Sequence, residues 1–165
     1  MANYEQLEKD ICAVLCPVTT DETGKVTQLN TIYLASPLPD NESEYQKSFS
    51  KATAYIVCIN SDYESPRATD IIIQEETISF EAILRARTRR GESGIFAIIT
   101  DIKTKLVGLK LGIGFTKIRL IKQGYIDGAI QNDWNYSLSF STTTKLIENQ
   151  PEPVYPTFKK IDTNG

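Results

Sequence analysis

The feature that most constrains this chain is a change of hydrophobic period near residue 90. From Thr77 the side chains alternate, with Ile78, Phe80, Ala82, Leu84 and Ala86 on one side and Thr77, Ser79, Glu81, Ile83, Arg85 and Arg87 on the other. Such alternation predicts a strand on the order of ten residues, long beside the five or six that are typical. Arg89-Arg90-Gly91-Glu92-Ser93-Gly94 then reads as a turn. From Ile95 the period becomes helical: Ile95, Ile98, Ile99, Ile102 and Leu106 form one stripe, and Gly108 stands where a helix-ending glycine belongs. Ser93 or Glu92 is expected to serve the helix start. A strand that turns directly into a helix, both with one greasy side, must pack helix against sheet.

The remaining segments extend this layer. Tyr4, Leu7, Ile11 and Leu15 recur at helical spacing and stop before Pro17, which predicts a short amphipathic helix. Residues 18–50 are polar and interrupted by prolines, and only Val26–Leu34 suggests extended structure. Ala52–Ile59 is apolar and β-branched near its centre, as a strand covered on both sides would be. Thr116–Gln123 sets Ile118, Leu120 and Lys122 against Lys117, Arg119 and Ile121. Asp133–Thr142 places Trp134, Tyr136, Leu138 and Phe140 opposite Asn135, Ser137, Ser139 and Ser141, the pattern of a strand with one wet side. The order predicts one α+β domain over residues 1–146, a mostly antiparallel sheet of about four strands with helices on one face. Residues 147–165, with Pro151, Pro153 and Pro156, are expected to form an extended tail.

Composition then excludes much chemistry. The chain has no histidine, the residue most used for general acid–base catalysis and the base of Ser-His and Cys-His nucleophile systems. Three cysteines, Cys12, Cys16 and Cys58, are an odd number and one ligand short of a thiolate zinc site, so buried reduced thiols are expected. The neighbouring acids Glu75-Glu76 and Asp21-Glu22 read as solvated charge. Gly108–Gly114 follows a helix, where a phosphate-cradling loop would precede one. No catalytic residue, metal site or cofactor is expected. No apolar run approaches the roughly 18–20 residues that span a bilayer, and a non-membrane protein that stays in the compartment where it is made is expected.

Charge is unevenly spread. Residues 1–66 carry 4 basic and 10 acidic side chains, residues 67–122 carry 11 and 6, and residues 123–165 carry 3 and 5. The basic share gathers in Arg85, Arg87, Arg89 and Arg90, with Lys117 and Arg119 joining if their strand pairs alongside. This row can be a strand end guarded against edge pairing, a contact surface for an acidic partner, or a surface past which DNA runs. If it is a contact surface, replacing Arg85 and Arg87 with glutamate should impair assembly and leave the fold intact.

The unit Thr77–Gly91, followed by Ser93–Ile99 and Leu106-Val107-Gly108, resembles the core of the tail-terminator proteins of Mu-like and other contractile-tailed bacteriophages, with Lys117–Ile121 and Trp134–Phe140 as the strands that follow it. The resemblance covers about residues 4–143 and is sharpest over 77–108. It implies a non-enzymatic virion protein of the tail or neck, assembled in the bacterial host cytoplasm. It further implies a homohexameric ring that caps the tail tube, stops tail growth and offers a docking face to the head–neck connector, with the sheath as a candidate second neighbour. Genomic DNA would pass through the lumen without being read. Related roles remain open: another neck or head–tail connector component, or the cap of a phage-derived contractile injection system.

Overall fold

The computed structural model describes residues 2–46, 51–67, 71–127 and 133–148. They form an α+β domain whose elements are α1 (Tyr4–Leu15), β1 (Val18–Thr20), β2 (Val26–Gln28), β3 (Tyr33–Pro37), α2 (Glu42–Gln46), β4 (Ala52–Tyr63), β5 (Ile73–Ala86), α3 (Ile95–Leu106), β6 (Arg119–Tyr125) and β7 (Trp134–Ile147). The main sheet has five strands in the order β3-β4-β5-β7-β6. All pairs are antiparallel except β3 with β4, and β1 and β2 form a separate hairpin. The fifth strand is β3, within the segment whose only extended signal was Val26–Leu34. A short strand beside a parallel partner, ending at a proline, carries little alternation to read. The extended tail expected from residue 147 falls outside the described residues beyond Glu148, and β7 itself runs to Ile147.

Both predicted helices form over the expected residues. Asn3 caps α1, its side-chain oxygen accepting from the Gln6 amide at 3.1 Å. Helix α3 departs from expectation at its start. Its N-cap is Gly94 with no side-chain bond; instead the carbonyls of Thr88 and Arg89 accept from the amides of Ile95 (2.9 Å) and Phe96 (3.2 Å). The turn therefore closes on the helix end through its own backbone. A side chain at Gly94 would meet the Arg90 carbonyl at 2.5 Å, so this approach requires glycine. At the far end Gly108 takes φ +84° and ends the helix as expected.

The core lies between the helices and one face of the sheet. Ile78, Phe80, Ala82, Leu84 and Ala86 of β5 are buried beside Leu138 and Phe140 of β7, under Leu7, Ile11 and Leu15 of α1 and the Ile95–Leu106 stripe of α3. Phe80 and Phe140 face each other across the strands, stacked with centroids 5.3 Å apart. The first half of β4 is covered on both faces, since Thr53, Ala54, Tyr55 and Ile56 are all buried. Short α2 accounts for part of that cover. Its Tyr45 ring lies against Tyr55, on the sheet face opposite the two long helices.

Polar ties fix the helices. Glu76 is buried, which corrects its reading as solvated charge. Hydroxyls from Tyr4, Ser61 (3.0 Å) and Tyr63 (3.1 Å) reach its Oε1 and stand in for water. Glu8 of α1 accepts from the Cys58 amide at 2.7 Å, next to a bulge in β4. Tyr33 donates its hydroxyl to Asp101 of α3 at 2.7 Å, and Lys105 bridges from Asp101 (2.9 Å) to the Leu15 carbonyl (3.0 Å). The three cysteines are free thiols, Cys12 buried and the other two half-buried.

These ties carry an alkaline signature. Burial and the adjacent Asp101 hold the Tyr33 hydroxyl above the ordinary tyrosine value, and the bond to Glu76 pushes Tyr4 up to about 12. Burial pushes the Cys12 and Cys58 thiols up to about 12. Each group is held neutral by the fold, so its contribution is fully present below the unfolded pKa and is lost as pH rises toward the folded one. The melting temperature should stay level to about pH 8 and fall from about pH 9 upward, where unfolded thiols and then phenols ionise. Tyr33→Phe should shallow that fall. A melting temperature unchanged to pH 11 would contradict the assignment.

Candidate assembly surface

The predicted basic row does not survive as one surface, because its members occupy three different environments. Arg85 is 2% exposed. It lies on the expected side of β5, but that side is covered here. Its guanidinium donates to Asp133 Oδ2 at 2.8 Å and to the Tyr45 carbonyl, and it stacks 5.1 Å from the Tyr45 ring centre. Arg85 is therefore an internal ion pair that fastens α2 and the start of β7 to the sheet. As an outward contact it is corrected.

Lys117 and Arg119 are exposed but distant from it. Strand β6 pairs with β7 and not with β5, and Arg119 sits opposite Ser141, whose partner on β5 is Ser79. Arg85 lies six residues along from Ser79, about 20 Å at the strand rise. Arg119 donates to Ser141 Oγ at 2.8 Å. A bulge between Leu120 and Lys122 shifts the register, so Lys122 lies opposite Ser139 and shares the face of Arg119. Simple alternation had put Lys122 with Ile118 and Leu120. The extra residue, Ile121, is left exposed at the sheet edge.

Arg87, Arg89 and Arg90 remain together and exposed on the turn between β5 and α3. Arg89 lies over two aromatic rings, 4.7 Å from the centre of Trp134 and 5.3 Å from that of Phe96. Phe96 meets Tyr136 edge-on at 6.0 Å, and Tyr125 lies 5.5 Å from Tyr136 and 6.0 Å from Trp134. The corner where β5, α3, β6 and β7 meet is thus an arginine–aromatic cluster, with Tyr125 52% exposed at its rim. Trp, Tyr and Arg are the residues that dominate protein–protein hot spots, because they bury much area with few rotatable bonds. Sequence reading placed Trp134 and Tyr136 on one face but missed Phe96 and Tyr125. Their signal was their place outside the apolar pattern: Phe96 is off the Ile95–Leu106 stripe, and Tyr125 lies past the expected strand Thr116–Gln123, in a glycine-bounded segment.

Beside the corner, on the other sheet face, a depression of about 250 Å³ is lined by Glu81, Lys122, Tyr125, Ser137 and Ser139. Gly124, opposite Ser137, leaves it open. Ser137 Oγ is buried there without a hydrogen-bond partner among the described residues. Among those residues no group of three or more His, Cys, Asp or Glu side chains can hold a metal ion. No described helix is long and apolar enough to cross a membrane.

The strand, the glycine-locked turn and the helix thus place an exposed arginine–aromatic cluster at one corner of the domain, with Glu76 buried as a structural tie. The Gp37 protein family matches residues 25–164, and the chain belongs to that family, a phage-related one. No curated protein matches the chain.

Proposed function

We propose that this chain is a tail-terminator subunit: copies of it close into a ring on the end of the tail tube, stop tube growth and present a docking face to the head–neck connector. The observation that carries this reading is the phage-related family match across residues 25–164, which spans the whole β5–turn–α3–β6–β7 unit that resembles tail terminators. The arginine–aromatic corner supports it, because a ring needs an adhesive surface on each subunit that meets a different surface on the next. In this reading the chain is a non-enzymatic part of the virion tail or neck, six copies make the ring, the sheath is a candidate second neighbour, and genomic DNA crosses the lumen past exposed basic side chains without base readout.

Light scattering and negative-stain electron microscopy of the full chain, alone and mixed with its tail tube protein, test the ring. Closed rings of one fixed subunit number are expected. A chain that stays monomeric at high concentration and leaves tube ends bare would remove the reading.

A further inference from the structure

One element has no role in the fold as described. The β1–β2 hairpin is a two-stranded sheet apart from the main one, and all six of its strand residues are exposed. A lone hairpin is marginal in water, yet this one is carefully closed. Asp21 Oδ1 accepts from the amides of Thr23 (2.9 Å) and Lys25 (3.0 Å) and from the Thr23 hydroxyl (2.6 Å), and Gly24 takes φ +80°. It also holds large apolar side chains in water: Val18 is 55% exposed and Val26 60%, with Leu29 just beyond. A built, exposed and apolar hairpin is a surface awaiting cover.

The sheet gives the hairpin a complement on its opposite edge. The segment from β1 through α2, residues 18–46, contains five acidic side chains and one basic. The segment ending in β6, residues 107–125, contains four basic side chains and no acidic one. β3 lies at one edge of the sheet and β6 at the other, so the hairpin that leads into β3, with Asp21 and Glu22 at its turn, and the basic segment fall at opposite edges. Tyr125, exposed at the end of β6, lies against Trp134, and Arg89 sits over the same ring; Ile121 is exposed farther along the edge. Tyr125 is level, through Tyr136, Leu84 and Ala54, with Ala35 of β3, the strand the hairpin leads into.

We propose that the β1–β2 hairpin of one copy docks against the arginine–aromatic corner and β6 edge of a second copy. Val18 and Val26 would meet Tyr125 and Phe96, and the hairpin turn, with Asp21 and Glu22, would meet Arg87 and Arg90. The contact joins two different surfaces, so each copy keeps one of each free for the next, which is the geometry of a ring or a helix. It rests on the ring reading above and names the surfaces that would close it.

Charge reversal with rescue tests it on the full chain. Glu22→Lys with Val26→Lys reverses the hairpin while keeping Asp21 for its turn. Arg87→Glu with Arg90→Glu reverses the corner at exposed positions. Each variant, folded by circular dichroism, should associate with itself at least about tenfold more weakly than wild type. An equimolar mixture should recover assembly, because every junction then pairs opposite charges. Wild-type association should weaken as salt is raised. If wild type forms rings and both variants form them equally well, the interface is wrong and the ring reading stands. If wild type forms no ring, alone or on tube ends, both fall.

Discussion

Replacing Arg85 with glutamate should unfold the monomer. The substitution removes a guanidinium that is buried with Asp133 and puts a second carboxylate against it, in a site where water cannot screen the pair. Breaking a buried ion pair by losing one partner costs about 3–5 kcal/mol, and a reversal that leaves two like charges costs no less. Most domains have about 5–15 kcal/mol in all, so little or no folded protein should remain. The Tyr45 carbonyl would lose its donor as well, releasing α2 from the sheet. Urea unfolding followed by circular dichroism measures this directly. The double change Arg85→Met with Asp133→Leu should be much milder than either loss alone, since an apolar pair leaves no buried charge behind. A glutamate variant with a wild-type urea midpoint would mean that Arg85 faces solvent after all, as its place in the alternation first suggested.

The second large effect is expected at Phe80. It is fully buried at the centre of β5, stacked on Phe140 and covered by the helices. Phe80→Ala should destabilise the domain by about 3–5 kcal/mol, through lost burial and the cavity left between strand and helix. Part of this is the ring pair itself, worth about 0.5–1.5 kcal/mol beyond area. Phe140→Ala should behave alike, and the two together should cost less than their sum, because the first change already breaks the stack. A loss below about 1 kcal/mol would show that the strand–helix core is not packed as described.

These two residues show what the sequence revealed and what it hid. Alternation assigned Phe80 and Arg85 to opposite faces, and both assignments hold. It could not say whether the second face is covered. Ile83, Tyr55 and Thr53 cluster beside Arg85 on that face, and an isoleucine among supposedly wet residues was the available hint. The cover comes from Tyr45 and Asp133, which lie 40 and 48 residues away in sequence. No local pattern carries such a contact. The same limit hid Glu76, whose three hydroxyl partners come from α1 and β4. The bulge in β6 is harder still, because one unpaired residue reverses every face assignment after it. In contrast α1, α3 and the Trp134–Phe140 face were legible, since their signals are periodic over three turns of helix or four alternations of strand. The turn at Arg89–Gly94 was read as a turn, and its arginines as the end of a basic row that could guard the strand end, meet an acidic partner or face DNA. What the fold adds is the pair of rings, Phe96 and Trp134, over which Arg89 lies, with Tyr136 and Tyr125 packed behind them.

Tail length tests the central claim most directly. Tails assembled without this protein, with all other components present, should be examined by electron microscopy and their tube lengths measured. The tail-terminator account predicts overlong tubes of widely varying length that carry no heads, with normal length restored when the wild-type chain is supplied. Tubes of normal, uniform length in its absence would contradict it and assign the chain to joining head and tail instead.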